Sequence, residues 1–187
     1  MSPEEFEKNL NAKANEIKSY ANNQFPSVAG NISLRFINGN FRAQGFQGAS
    51  FSPWKKSKKG KGTTLVNIGN LRAANYYSTQ PGQVTLKNNM PYAKVMNEGF
   101  KGTVTVKSHS RNKYGKSKVG TGKLTKSGKE LMQTVTFKSG QSIVKSHSRK
   151  MNIPKRQFMP TSENDSPVLK NAIQRQVARD IEQIFKT

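Results

Sequence analysis

The sequence contains no cysteine, which excludes disulfides and thiolate zinc sites and leaves the redox compartment open. It is nearly as poor in acids, with 10 Asp and Glu against 32 Lys and Arg. No acid lies between Glu16 and Glu98, and only Glu130 lies between Glu98 and Glu163. Paired-carboxylate hydrolysis and oxygen-ligand metal binding both need clustered acids. The expectation is therefore no catalytic residue, no metal site and no cofactor. His109 and His147 sit in Ser/Arg-rich contexts without nucleophile-elbow or zinc spacing. Hairpin pairing could set them opposite each other around a metal; a surface pair is the simpler reading. The serines lack a base and an orienting partner. A non-enzymatic protein is expected. Long apolar runs are missing too, and the start (Glu4, Glu5, Glu7) is acidic rather than signal-like. A soluble chain made in a cytoplasm, without membrane contact, is the expectation.

What is present is positive charge. The formal net charge is +22 and the pI about 10.4. Such a surface attracts polyanions, whether nucleic acid, anionic membrane or an acidic protein. Phosphate contact of this kind needs no motif and is steeply salt-dependent. The scarcity of carboxylates fits the same setting, because a carboxylate facing phosphates adds repulsion. At 187 residues with 33% hydrophobic content, the chain implies one domain spanning 1–187 with a modest core and an appendage.

Ser2-Pro3-Glu4-Glu5 reads as a helix start, with Phe6, Leu10, Ala14, Ile17 and Ala21 as its apolar stripe, ended by Phe25-Pro26. Ile32, Leu34 and Phe36 alternate as a strand, turned by Asn38-Gly39-Asn40. Phe51 and Trp54 follow, the lone tryptophan read as a core anchor. Lys55, Lys56, Lys58, Lys59 and Lys61 form a cationic loop. Gly60-Lys61-Gly62 lacks the spacing and the Lys-Ser/Thr ending of a phosphate-binding loop. The loop is either a solvated face or a backbone-phosphate contact. Gly69-Asn70 precedes a short helix carrying Leu71, Ala74 and Tyr77, and Pro81-Gly82 turns into a strand with Val84 and Leu86. Pro91 suits the start of a second short helix and Gly99 its end. Ser166-Pro167 opens a last helix with Leu169, Ile173, Val177, Ile181 and Ile184 as its stripe.

Residues 101–151 differ in character. They hold thirteen Lys or Arg against one acid, Glu130. The phrase Val-Lys-Ser-His-Ser-Arg occurs at 106–111 and again at 144–149. Two copies are too few for a solenoid but suit the two sides of an antiparallel arm. Val104, Val106, Leu131, Val135, Phe137 and Ile143 supply its apolar contacts, and Ser139-Gly140 offers a turn. Lys113, Lys116 and Lys118 face DNA or an acidic partner. The stretch 112–129, poor in apolar residues, is expected to be mobile when free.

The order of motifs carries a resemblance. Gly69-x-Leu71, a strand, Pro91-Tyr92-Ala93-x-Val95 closing at Gly99, and Ile153-Pro154-x-Arg156-x-Phe158, with Trp54 upstream, resemble the phage virion-morphogenesis (neck or tail-completion) family. Residues 101–151 fall outside the resemblance. Met96 stands where the family pattern leads one to expect a histidine, so the resemblance implies no chemistry there. It implies an α+β fold: a small, mainly antiparallel sheet with amphipathic N- and C-terminal helices packed on it; 101–151, read from its own residues, is inserted as a long basic β-hairpin arm. It also implies a hexameric ring between the head connector on the portal side and the tail tube or tail terminator, surrounding packaged DNA without reading it. The location implied is the virion head–tail junction, reached from the host cytoplasm. The alternative is a cellular basic nucleic-acid-binding protein of ribosome-associated or nucleoid type. That reading predicts exposed aromatics among the cations, and Tyr114 is the aromatic residue in the most basic stretch.

Overall fold

The chain is helical throughout from Pro3 to Ala43. In the computed structural model, which describes residues 2–57, 62–162 and 164–186, helix α1 runs Pro3–Ser19, a π-helical turn covers Tyr20–Gln24, and α2 runs Phe25–Ala43. The α1 start is a capping box. Ser2 Oγ accepts from the Glu5 amide at 3.2 Å, and Glu5 Oε2 accepts from the Ser2 amide at 2.8 Å. Two expectations fail here. Phe25-Pro26 does not end the helix, and Ile32, Leu34 and Phe36 are helical rather than extended. A proline ring inside an α-helix meets the carbonyl four residues back, and the wider π turn just before Pro26 relieves that conflict. Alternation at 32–36 was misleading because a 3.6-residue set overlies it. Pro26, Ala29, Gly30, Ser33, Ile37, Asn40 and Phe41 are the buried positions of α2, and from Ala29 on they follow helical spacing.

Two compact units follow from the contacts, Met1–Phe100 with Ile153–Thr187, and Lys101–Asn152. In the first, β1 (Gly45–Gln47) pairs antiparallel with β2 (Phe51–Pro53), and β3 (Asn75–Gln80) with β4 (Gln83–Asn88). Short helices α3 (Asn70–Ala73) and α4 (Ala93–Glu98) flank that second hairpin in sequence. Tyr77 belongs to β3, not to the helix assigned to it from the sequence. Its ring lies so close to Gly30 of α2 that a Cβ there would sit 2.5 Å from Tyr77 Cδ2. Glycine in a helix costs about 1 kcal/mol relative to alanine, and here it admits an aromatic ring.

The last helix, α5 (Pro167–Lys186), starts at Ser166, whose Oγ accepts from the Leu169 amide at 3.1 Å and donates to Gln47 O at 2.6 Å. Its stripe is as expected: Leu169 is buried, and Ile173, Val177, Ile181 and Ile184 are half-buried. Tyr20 donates its hydroxyl to Asp180 at 2.6 Å, joining the π turn to α5. Burial, with that hydrogen bond second, holds the phenol well above its ordinary pKa.

In the second unit β5 (Phe100–Val106) pairs with β8 (His147–Ile153), and β6 (His109–Leu124) pairs antiparallel with β7 (Glu130–Val144). The fold is α+β with terminal helices. Its strands form two-stranded sheets rather than the one small sheet expected. The stretch 112–129, expected to lack structure, is largely β6 and the turn after it. That turn lies at 125–129, where the Thr125 amide donates to Lys129 O at 2.7 Å and the Gly128 amide to Thr125 O at 2.9 Å. Ser139-Gly140 is no turn. The register shifts there, with Lys113 opposite Gly140 and Tyr114 opposite Lys138, which leaves Ser139 as a bulge.

Candidate interaction surfaces

The sequence motifs of the first unit converge on one core. Ile37, Phe41, Trp54, Leu71, Ala93 and Phe158 form a single buried cluster. Phe41 meets Trp54 edge-on at 5.4 Å between ring centroids and Phe158 at 5.3 Å. Trp54 donates Nε1–H to Gln157 O at 2.7 Å, so its polar atom is satisfied inside. Gly69 caps α3 at φ 87. Gly99 ends α4 at φ 82, and a Cβ there would lie 2.8 Å from Lys155 N. Only glycine suits both the angle and the approach. Pro154, next to Lys155 in sequence, is half-buried. Arg156 donates Nε–H to Lys55 O at 2.8 Å, and its amide donates to Met96 O at 3.0 Å. Tyr92 of the same motif is the N-cap residue of α4 and is 41% exposed.

Three amides that hold this arrangement have no counterpart in the sequence reading. Asn97 receives the Phe158 and Met159 amides on Oδ1 at 2.9 and 3.0 Å, and donates Nδ2–H to Met159 O at 3.1 Å. Asn40 donates to Phe158 O at 3.1 Å and accepts from the Gln47 amide at 3.1 Å. Gln44 grips Thr64 through both its amide (2.6 Å) and its carbonyl (3.2 Å). These side chains do for irregular backbone what a sheet would do for a strand. The signal for Asn40 was its place in the 37–40–41 helical set.

Residues 62–71 with Tyr92 and Met96 line a cleft of about 750 Å³. Its lining mixes polar residues (Ser57, Thr63, Thr64, Asn67, Asn70) with the apolar Leu65, Val66 and Ile68, and Met96 stands at the histidine position of the resemblance. Lys55 and Lys56 are exposed, whereas Lys58, Lys59 and Lys61 lie outside the described residues.

The second unit presents a surface with two distinct sides. Opposed residues of an antiparallel ladder share a face, and faces alternate along each strand. The pairs Gly115–Phe137, Ser117–Val135 and Val119–Gln133 therefore lie on one face, continued by Leu131. Those positions are uncharged, while Lys113 and Arg111, two and four residues before Gly115 on β6, stand on the same side beyond the bulge. The pairs Tyr114–Lys138, Lys116–Thr136 and Lys118–Thr134 lie on the other. Phe137 is 49% exposed and lies over Gly115, where a Cβ would come within 2.9 Å of its ring. Tyr114 is 64% exposed. Lys113 precedes the bulge, while Val104, Val106 and Ile143 belong to the strands on either side of the repeat. Among the described residues the ion pairs are Lys13–Glu16 and Lys186–Glu182, so the ladder's lysines are unneutralised there.

The repeated phrase marks a joint in both strands. Lys107-Ser108 separates β5 from β6, and Lys145-Ser146 separates β7 from β8. The two copies meet across the ladder, with His109 opposite Val144. In each copy the histidine Nδ1–H donates to the lysine carbonyl two residues back, His109 to Lys107 O and His147 to Lys145 O, both at 3.0 Å. The histidines thus hold the breaks, and His109 faces valine rather than His147. Among the described residues no cluster of three metal-ligating side chains occurs.

Compared with family models, with curated proteins and with solved structures, the chain has no match in any of the three.

Proposed function

We propose that this protein is a non-enzymatic virion structural subunit, a neck or tail-completion protein that forms a ring between head connector and tail around the DNA channel. The observation that carries the reading is the two-sided ladder of the second unit. Between the bulge and Leu131 one face is uncharged, with Phe137, Val135 and Val119 beside Gly115, Ser117 and Gln133, while the other bears Lys116, Lys118 and Lys138. A two-stranded ribbon with an open apolar face is a surface for protein contact. Lysines on its reverse attract phosphates without reading base edges. An assembly arm that touches a neighbour on one side and DNA or an acidic protein on the other has both needs. The convergence of Trp54, Leu71, Ala93 and Phe158 on one core is what the ordered motifs of the resemblance require. The partners in this reading are other copies of the chain, the portal-side connector, the tail tube or terminator, and packaged DNA.

A second reading, a cellular nucleic-acid-binding protein, draws on one observation, the exposed Tyr114 ring on the lysine face beside Lys116. Imaging of assembled particles separates the two. The proposed function requires this chain as a closed ring on the head–tail axis. An isolated copy away from that axis, or tight preference for one DNA sequence at moderate salt, would refute it.

A further inference from the structure

Helix α1 carries an apolar stripe that the first unit leaves largely uncovered. Phe6 is 60% and Leu10 56% exposed, and no residue of α1 is buried. At 3.6 residues per turn Phe6, Leu10 and Ala14 share one side, with Glu5 and Glu7 flanking it. A helical segment of this length gains little from propensity alone, so its stability rests on packing. It is also the most acidic place in a strongly cationic chain. Glu4, Glu5 and Glu7 are three of the 10 acids. The complementary surface is the ladder, an uncharged row from Leu131 through Val135 to Phe137 with Lys116, Lys118 and Lys138 on its reverse. Beyond Gly115 the same face of β6 continues with Lys113 and Arg111, cations that complement the acidic flanks of α1. The helical row is the shorter and fits within the strand row: Phe6 to Ala14 spans about 12 Å of helix, and Leu131 to Phe137 about 20 Å of strand.

We infer that the exposed stripe of α1 docks on the uncharged face of the β6–β7 ladder of a second copy of this chain. The contact joins two different surfaces, which is the heterologous geometry that closes into a ring. It rests on the ring reading above and names the surfaces that make the ring. Acidic flanks and lysines set the register, while the apolar rows supply the burial.

The absence of cysteine makes the test clean. One full-length variant carries Leu10→Cys, another Val135→Cys, and a control carries Thr85→Cys on exposed β4. All are oxidised in pairwise mixtures at equal concentration. The Leu10→Cys and Val135→Cys pair is expected to form mixed dimer about tenfold faster than either does with the control, through the raised local concentration. Adding Phe137→Ser or Glu7→Lys is expected to remove most of that advantage. Equal yields with the control would overturn the inference. So would a Leu10→Cys/Val135→Cys double variant that closes quantitatively on itself as a monomer. Because the readout needs no virion, a positive cross-link from a protein absent from particles would refute the neck reading and leave the contact standing.

Discussion

Phe158 is held by its ring and by its backbone at once. Its side chain fills the cluster of Phe41 and Trp54, and its amide and carbonyl go to Asn97 and Asn40. Truncation, Phe158→Ala, is expected to cost about 3–5 kcal/mol, the range for a buried aromatic. Asn97→Ala leaves two amides and one carbonyl without their partner and is expected to cost about 1–3 kcal/mol. Chemical denaturation of the purified chain measures both. The aromatic anchors were legible because large apolar residues in a hydrophilic chain have few other places to go. The asparagines were not, since their role depends on irregular backbone that arrives from distant sequence. Asp165 belongs with them. Its carboxylate accepts from the Thr161 hydroxyl and amide, both at 2.6 Å, and from the Ser162 hydroxyl at 2.8 Å. The Thr161 contacts foremost, then those from Ser162, hold its pKa well below the usual carboxylate value. A depressed pKa contributes stability that is present above the ordinary carboxylate range and lost as pH falls through and below it. Stability measured from pH 6 downward should therefore decline less steeply in Asp165→Asn, which starts lower, than in the native chain.

At the scale of elements, the sequence was most readable where one pattern had no competitor. The α5 stripe, the Pro81-Gly82 turn leading into β4 and the glycine end of α4 are such cases, whereas Tyr77, expected in a helix, belongs to β3. It misled at 25–43, where a two-residue alternation and a helical set coexist, and where a π turn accommodates Pro26. The hairpin strands were legible at Leu131, Val135 and Phe137, but the bulge at Ser139 and the pairing of the two repeats were not, because register is fixed by partners rather than by local composition. The two faces of the ladder separate two effects. Lys116, Lys118 and Lys138 replaced by Gln should lower the steepness of log affinity against log salt for DNA by about 3, with little effect on folding. Val135→Ser with Phe137→Ser should leave that slope unchanged while reducing self-association. Fluorescence titration across salt concentrations reads the first, and sedimentation reads the second.

On the scale of the whole molecule, the charge excess and the order of motifs were legible in the sequence, while the two faces of the ladder emerged only from pairing. Lys101–Asn152 is a unit with its own internal contacts, and its two-stranded sheets bury little. Replacing 102–150 by a short Gly/Ser linker should therefore leave a first unit that unfolds cooperatively but no longer self-associates or joins heads to tails. Failure of that shortened chain to fold, or normal particle assembly with it, would contradict an arm used for assembly. The most direct measurement of the central claim is the native mass of the full-length protein across a wide range of concentration and moderate salt. The account requires one closed species, a hexamer, with no open series of larger multiples, since heterologous contacts that close by rotation leave no free end. A monomer of 20.8 kDa persisting at every concentration would contradict it.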